Sequence, residues 1–231
     1  MSISDPASDP GRPWSAAEAP PLPHQLFLLS YDPARARLDD DSAAVRGSLL
    51  RAAAIAELRI AGLLRDRDGR AERTSATVTT PLHPFLAEVL DDVPQDRPRR
   101  WFGVLERRWY QAEGTVRDQL AAAGVVRVER RRILGLIPTR RIEVPDPGPV
   151  RALRASVREV VRAGADPAAV PLQEALLAVL AIDGDVSTMF GWRELRAHKP
   201  AVRALAQRID RELTGLRPAL FASIAARRAS G

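Results

Sequence analysis

Arginine supplies most of the chemistry this sequence offers. Arg127, Arg130, Arg131, Arg132, Arg140 and Arg141 fall within fifteen residues against Glu129 alone, a local charge of +5. A guanidinium stays charged at any ordinary pH and meets phosphate or carboxylate through paired N–H donors. Ile133, Leu134, Leu136 and Ile137 sit among these arginines beside a turn signal at Pro138. A basic ribbon with an apolar tip suits an anionic bilayer, where arginines meet phosphate and the tip enters the headgroup region. Each basic residue near such a surface contributes about 1 kcal/mol. The alternative is an edge hairpin charged for solubility, with its tip buried against a neighbour.

Arg51 is the second candidate. On a helix it shares a face with Ala54, Ile55 and Leu58, and an arginine on an apolar stripe must be paired or reach a ligand. A ligand phosphate is one partner. An acid such as Asp41 or Glu57 is the other.

Catalytic signals are absent from the rest of the chain. His24, His83 and His198 have no neighbouring nucleophile motif, and no zincin, nucleophile-elbow, Walker or dinucleotide-glycine pattern occurs. The DGDVST segment at 183–188 lacks the oxygen ligands of a calcium loop and reads as a capped helix start. Asp91 and Asp92 read as a solvated helix end. Without cysteine there is no thiol nucleophile, disulfide or cysteine metal site. The expectation is a non-enzyme with no metal and no cofactor.

The elements that must position these arginines follow from pattern. The 231 residues are 45% hydrophobic and 28% charged, enough of each for a sizeable core. The pI of 10.9 overstates the basicity: net charge is only +6, and Lys199 is the sole lysine. No apolar run reaches the length of a bilayer-spanning helix, and residues 1–23 lack the marks of a secretory signal. A cytoplasmic protein is therefore expected, and the basic ribbon would make it peripheral on the inner face of the membrane. Residues 1–23, with six prolines, read as a disordered tail.

Helices are expected over 43–64, from Pro81, over 101–123, 148–163, 171–182, 185–197 and 200–213, and after Pro218. A turn is expected at Asp68-Gly69, with QDRPRR a basic loop. Residues 125–144 alternate apolar and charged positions and read as strand–turn–strand. LQEALLAVLAI at 172–182 is apolar on nearly every face, as a central core helix is. The fold class is mainly α: a compact single helical domain over 24–228 around a central apolar helix, with a protruding basic β-hairpin.

Four blocks in order carry a family resemblance: LPHQLFLLSYD (22–32), SLLRAAAIAELRIAGLL (48–64), LAAAGVVRVERRRILGLIPTRR (120–141) and LQEALLAVLAIDGDVSTMFG (172–191). The chain resembles bacterial, actinobacterial-type members of the Golgi phosphoprotein 3 family. That resemblance implies a non-catalytic peripheral membrane adaptor. It would bind phosphatidylinositol 4-phosphate in a basic pocket, recruit client proteins, and use its hairpin for membrane contact and self-association. The family's pocket arginine matches Arg51. Its tryptophan falls near Ser42 and its arginine pair on Tyr110 and Glu113, so Arg117, one turn further along, is the substitute in the lipid-phosphate site.

Two other readings compete with an anionic phospholipid or phosphoinositide headgroup as partner. One is a homo-oligomeric interaction module assembled through the hairpin. The other is a winged-helix-like nucleic-acid binder, disfavoured because Glu106, Glu113 and Asp118 stand on the would-be recognition helix.

Overall fold

The computed structural model describes residues 19–76, 81–133, 137–162 and 166–229. In chain order the described elements are α1 (Leu22–Leu29), β1 (Tyr31–Asp32), β2 (Arg37–Leu38), α2 (Arg46–Ile60), β3 (Leu64–Arg67) and β4 (Arg70–Arg73). Then come α3 (Pro84–Asp91), β5 (Arg99–Arg100), α4 (Trp101–Glu106), α5 (Trp109–Ala122), β6 (Arg127–Ile133) and β7 (Ile137–Glu143). The chain closes with α6 (Gly148–Arg162), α7 (Leu172–Asp183), α8 (Trp192–Ala197), α9 (Lys199–Glu212) and α10 (Leu216–Ala229). Three small antiparallel sheets, β1–β2, β3–β4–β5 and β6–β7, decorate a mainly α domain.

Two helices form its centre. Residues Ala175–Ala181 of α7 are buried on every face, as an all-round apolar sequence requires. Beside it α2 buries a continuous run from Arg46 to Ala56. Alanines at 52, 53, 54 and 56 keep α2 thin, so α1, α3, α4, α5, α7 and α10 all pack against it. Two glycines permit the closest approaches. A Cβ on Gly47 would run into the backbone carbonyl of Trp109, and one on Gly184 would run into the Leu49 side chain.

Several boundaries differ from the sequence reading, each for a local reason. The 43–64 helix is shorter at both ends. Residues 41–45 form turns in which Asp39 accepts from the Ser42 backbone and hydroxyl, and Gly62, at φ +70°, stops the other end. The helix expected from Pro81 begins at Pro84, whose fixed φ suits the first helical position. The 101–123 stretch is two helices, broken at Arg107–Arg108, where Arg108 takes a left-handed φ of 51°. The basic loop QDRPRR ends in strand β5, which pairs with β4. DGDVST caps the end of α7 rather than starting a helix, and of 185–197 only Trp192–Ala197 is helical. The Asp68-Gly69 turn joins β3 to β4 with both residues at positive φ, as a tight hairpin turn demands.

Candidate anion-binding site

Arg51 stands in the middle of α2 with no solvent exposure. Its Nη2 donates to Asp92 Oδ2 at 2.7 Å and to the Val104 carbonyl at 2.6 Å, and Nε reaches the same carbonyl at 3.2 Å. Its partner is thus neither Asp41 nor Glu57. Glu57 instead accepts from the Leu22 backbone N–H at 2.7 Å, and burial raises its pKa. Burial also pulls the Arg51 pKa down, with Asp92 opposing that shift.

Asp92, expected as a solvated helix end, has a side chain only 1% exposed. Its other oxygen accepts from Arg107 Nε at 2.6 Å and from Arg108 Nη2 at 2.7 Å. Three guanidiniums from two segments, α2 and the α4–α5 junction, therefore converge on one carboxylate. The Arg107 and Arg108 side chains are 51% and 39% exposed, so they close the cluster on its solvent side while Arg51 anchors the acid from inside. The left-handed Arg108 conformation makes this possible by reversing the chain between α4 and α5. Glu88, 3.5 Å from Arg108, leaves the cluster with a net charge of +1.

The positions matched to the family pocket are arranged differently. Ser42 is buried and donates its hydroxyl to Asp39 at 2.9 Å. Tyr110 is 68% exposed. Glu113 accepts from Arg46 Nη1 at 2.9 Å, and Arg46 also donates to the Asp39 carbonyl. Arg117 is mostly buried and chelates Asp118 through Nε and Nη2 at 2.8 and 2.7 Å. Arg51 and Arg117 thus hold separate acids on separate elements.

The hairpin register pairs Arg127 with Glu143, Val128 with Ile142, Glu129 with Arg141, Arg130 with Arg140, Arg131 with Thr139, Arg132 with Pro138 and Ile133 with Ile137. Opposed residues share a face and faces alternate, so Val128 and Ile142 lie on one side of the ribbon and Arg127, Glu129, Arg141 and Glu143 on the other. The side chains of 130–140 lie outside the described ones. Ile142 is buried at the base and donates its N–H to the Ala36 carbonyl, tying the ribbon to the β1–β2 turn. Arg127 and Arg141 are exposed, and Arg141 lies 3.2 Å from Glu143. Leu136 lies outside the described residues.

A helical domain built on α2 and α7, with a basic ribbon projecting from it, defines the class of protein. Residues 22–227 match the Golgi phosphoprotein 3 family model, and the chain belongs to that family. A comparison with curated proteins finds no match. No helix among the described residues is long and apolar enough to cross a membrane.

Sequence reasoning passed over Arg107 and Arg108 and misread Asp92 as solvated. A signal existed: Phe85, Val89 and Asp92 recur at spacings of four and three, which places the aspartate on the buried face of its helix.

Proposed function

We propose that this protein is a non-catalytic peripheral adaptor that docks on anionic lipid headgroups through its β6–β7 hairpin. The observation that carries the reading is the register setting Arg130 opposite Arg140 in a strand pair whose residues 127–141 hold a net charge of +5. Opposed like charges weaken a strand pair in isolation, so an external anion is the natural complement. Arg107 and Arg108, half-exposed and fixed on the buried Asp92, supply a second cationic group. Arg51 acts from within as the anchor of that pair. Arg117 serves the local fold through Asp118.

Headgroup recognition in this reading follows charge more than lipid identity. Phosphatidylinositol 4-phosphate is the ligand the family implies, but the positions of the family's arginine pair hold Tyr110 and Glu113, the latter already bound to Arg46. The experiment is co-sedimentation with neutral vesicles, with phosphatidylglycerol vesicles and with vesicles carrying phosphatidylinositol 4-phosphate at equal surface charge. Equal pelleting on both anionic kinds supports the reading. Selective pelleting on the phosphoinositide restores a specific pocket, and no pelleting overturns lipid docking.

Self-association has one observation in its favour. Among the described residues, β6 has β7 as its sole strand partner, so its outer edge is open to a second copy. Sedimentation equilibrium of the free protein tests this. Against nucleic acid, α5, the helix that precedes the ribbon, carries Glu113 and Asp118, each in an ion pair with an arginine, where a recognition helix would meet phosphate.

A further inference from the structure

The β3–β4–β5 sheet carries an arginine row that none of these roles uses. Its register sets Arg67 opposite Arg70 and Arg70 opposite Arg100, so all three share a face. Arg65 and Glu72 form the next opposed pair on that face. Leu64 and Ala71, on the other face, are buried, so the arginine face points outward.

Four guanidiniums stand there with one carboxylate. Glu72 bridges Arg65 Nε at 2.5 Å and Arg67 Nη1 at 2.6 Å, and bonds from Arg67 and then Arg65 hold its carboxyl below the ordinary range. Arg70 and Arg100 are exposed and, among the described residues, have no acid or hydrogen-bond partner. Like charges directly opposed destabilise a sheet, and packing gives no reason for this pair. An oxyanion between Arg70 and Arg100 would do there what Glu72 does one position along.

We infer that this face is a second membrane-docking surface, on which the lipid phosphates of an anionic bilayer bridge Arg70 and Arg100. The inference rests on the lipid reading of the hairpin. Arg65 and Glu72 border a cavity with Leu90 and Gln95, whereas Arg70 and Arg100 stand outside it, and the row spans about 10 Å across three strands. A planar array of phosphates engages such a row all at once, whereas a small soluble anion meets only one or two exposed guanidiniums.

Its place in the fold adds the consequence. Strand β3 starts just past the C-terminal end of α2, where the Leu63 N–H bonds the Leu58 carbonyl. The hairpin base is tied at the opposite end: Ile142 bonds Ala36, in the same β1–β2 segment that leads to Asp39, and Asp39 holds Arg46 in the first turn of α2. The fifteen residues of α2 separate the two surfaces by about 22 Å. Where both meet one bilayer, two weak attachments act as one strong one.

The test is partition of the full chain onto phosphatidylcholine vesicles with and without phosphatidylglycerol. Arg70→Gln with Arg100→Gln should lower binding to the anionic vesicles about tenfold or more. The unfolding midpoint should stay or rise slightly, since an opposed like-charge pair is removed. The hairpin variant Arg130→Glu/Arg131→Glu/Arg132→Glu should keep a residue of binding that the combined variant loses. Wild-type partition by the double glutamine variant, with the hairpin variant inactive, overturns the sheet contact and leaves the hairpin reading standing. Failure of the wild-type chain on every vesicle overturns both. Loss of duplex-DNA retention in the double glutamine variant, with vesicle binding unchanged, assigns the face to nucleic acid and overturns the lipid contact.

Discussion

Asp92 organises more of the candidate site than any arginine does. Removing it would leave Arg51 charged and without solvent, and would free Arg107 and Arg108 to swing away. Removing Arg51 leaves Asp92 still holding two guanidiniums. The two substitutions should therefore be unequal: Asp92→Ala costs about 3–5 kcal/mol, the range for orphaning a buried charge, while Arg51→Met costs clearly less. Urea unfolding of the two variants checks this, and equal losses would contradict the asymmetry. A second residue-scale test concerns His24, buried in α1 with its ring edge-on to His83, centroids 4.3 Å apart. Desolvation, and next the charge of His83, lower its pKa from 6.5 to about 4, against a smaller upward pull from Gln119. The unfolded chain then binds the proton that the folded chain refuses between those two values. Stability is whole above pH 6.5 and falls as pH drops toward 4, by roughly 2–3 kcal/mol at pH 4.5. His24→Phe should flatten that part of the pH profile. At this scale the sequence was legible where a residue's partner is itself, as in the density of charge along 127–141. It was silent where the partner is distant: 41 residues separate Arg51 from Asp92.

Elements were easier to foresee, because periodicity is local. The apolar run of α7, the Asp68-Gly69 turn, the stop at Gly124 and the strand–turn–strand of 125–144 each follow from a few adjacent residue types. The break between α4 and α5 was illegible because nothing in WFGVLERRWYQAEG forbids a continuous helix. Tertiary demand, the closing of Arg107 and Arg108 onto Asp92, bends the chain there and holds Arg108 in a left-handed conformation. Strand β5 escaped for a similar reason: its two residues are a strand only because β4 lies beside them. Helix packing yields a further prediction. Alanine is intrinsically a better helix former than glycine by about 1 kcal/mol. At position 47 that gain should be reversed, since the new Cβ would meet the rigid Trp109 carbonyl and force α2 from α5. Gly47→Ala should destabilise by about 1–3 kcal/mol, as overpacking does. At 184 the obstacle is the movable end of Leu49, so Gly184→Ala should cost less. Thermal unfolding of the two variants orders them.

For the whole molecule, the distribution of charge matters more than its sum. A net charge of +6 is modest for 231 residues, and most buried or half-buried arginines hold acids or carbonyls inside the fold. Arg227 in α10, for example, bonds Glu106 and lies 3.4 Å over the Trp109 ring, fastening the last helix to α4 and α5. The sequence showed that arginine was abundant, but only the fold separates the arginines that brace the core from those left facing solvent. Among the described residues outward arginines stand at Arg127 and Arg141 of the β6–β7 ribbon, at Arg107 and on the β3–β5 sheet, and others such as Arg151, Arg193, Arg203 and Arg211 are spread singly over α6, α8 and α9. Membrane docking through the ribbon is the central claim, and one measurement tests it most directly. Wild-type protein and the Arg130→Glu/Arg131→Glu/Arg132→Glu variant are sedimented with phosphatidylglycerol vesicles at about 0.1 M salt, with helical circular dichroism as the folding control. The account predicts that the wild type pellets and that the variant, with an unchanged helical spectrum, loses most of that binding. A folded variant that pellets as the wild type does would contradict it.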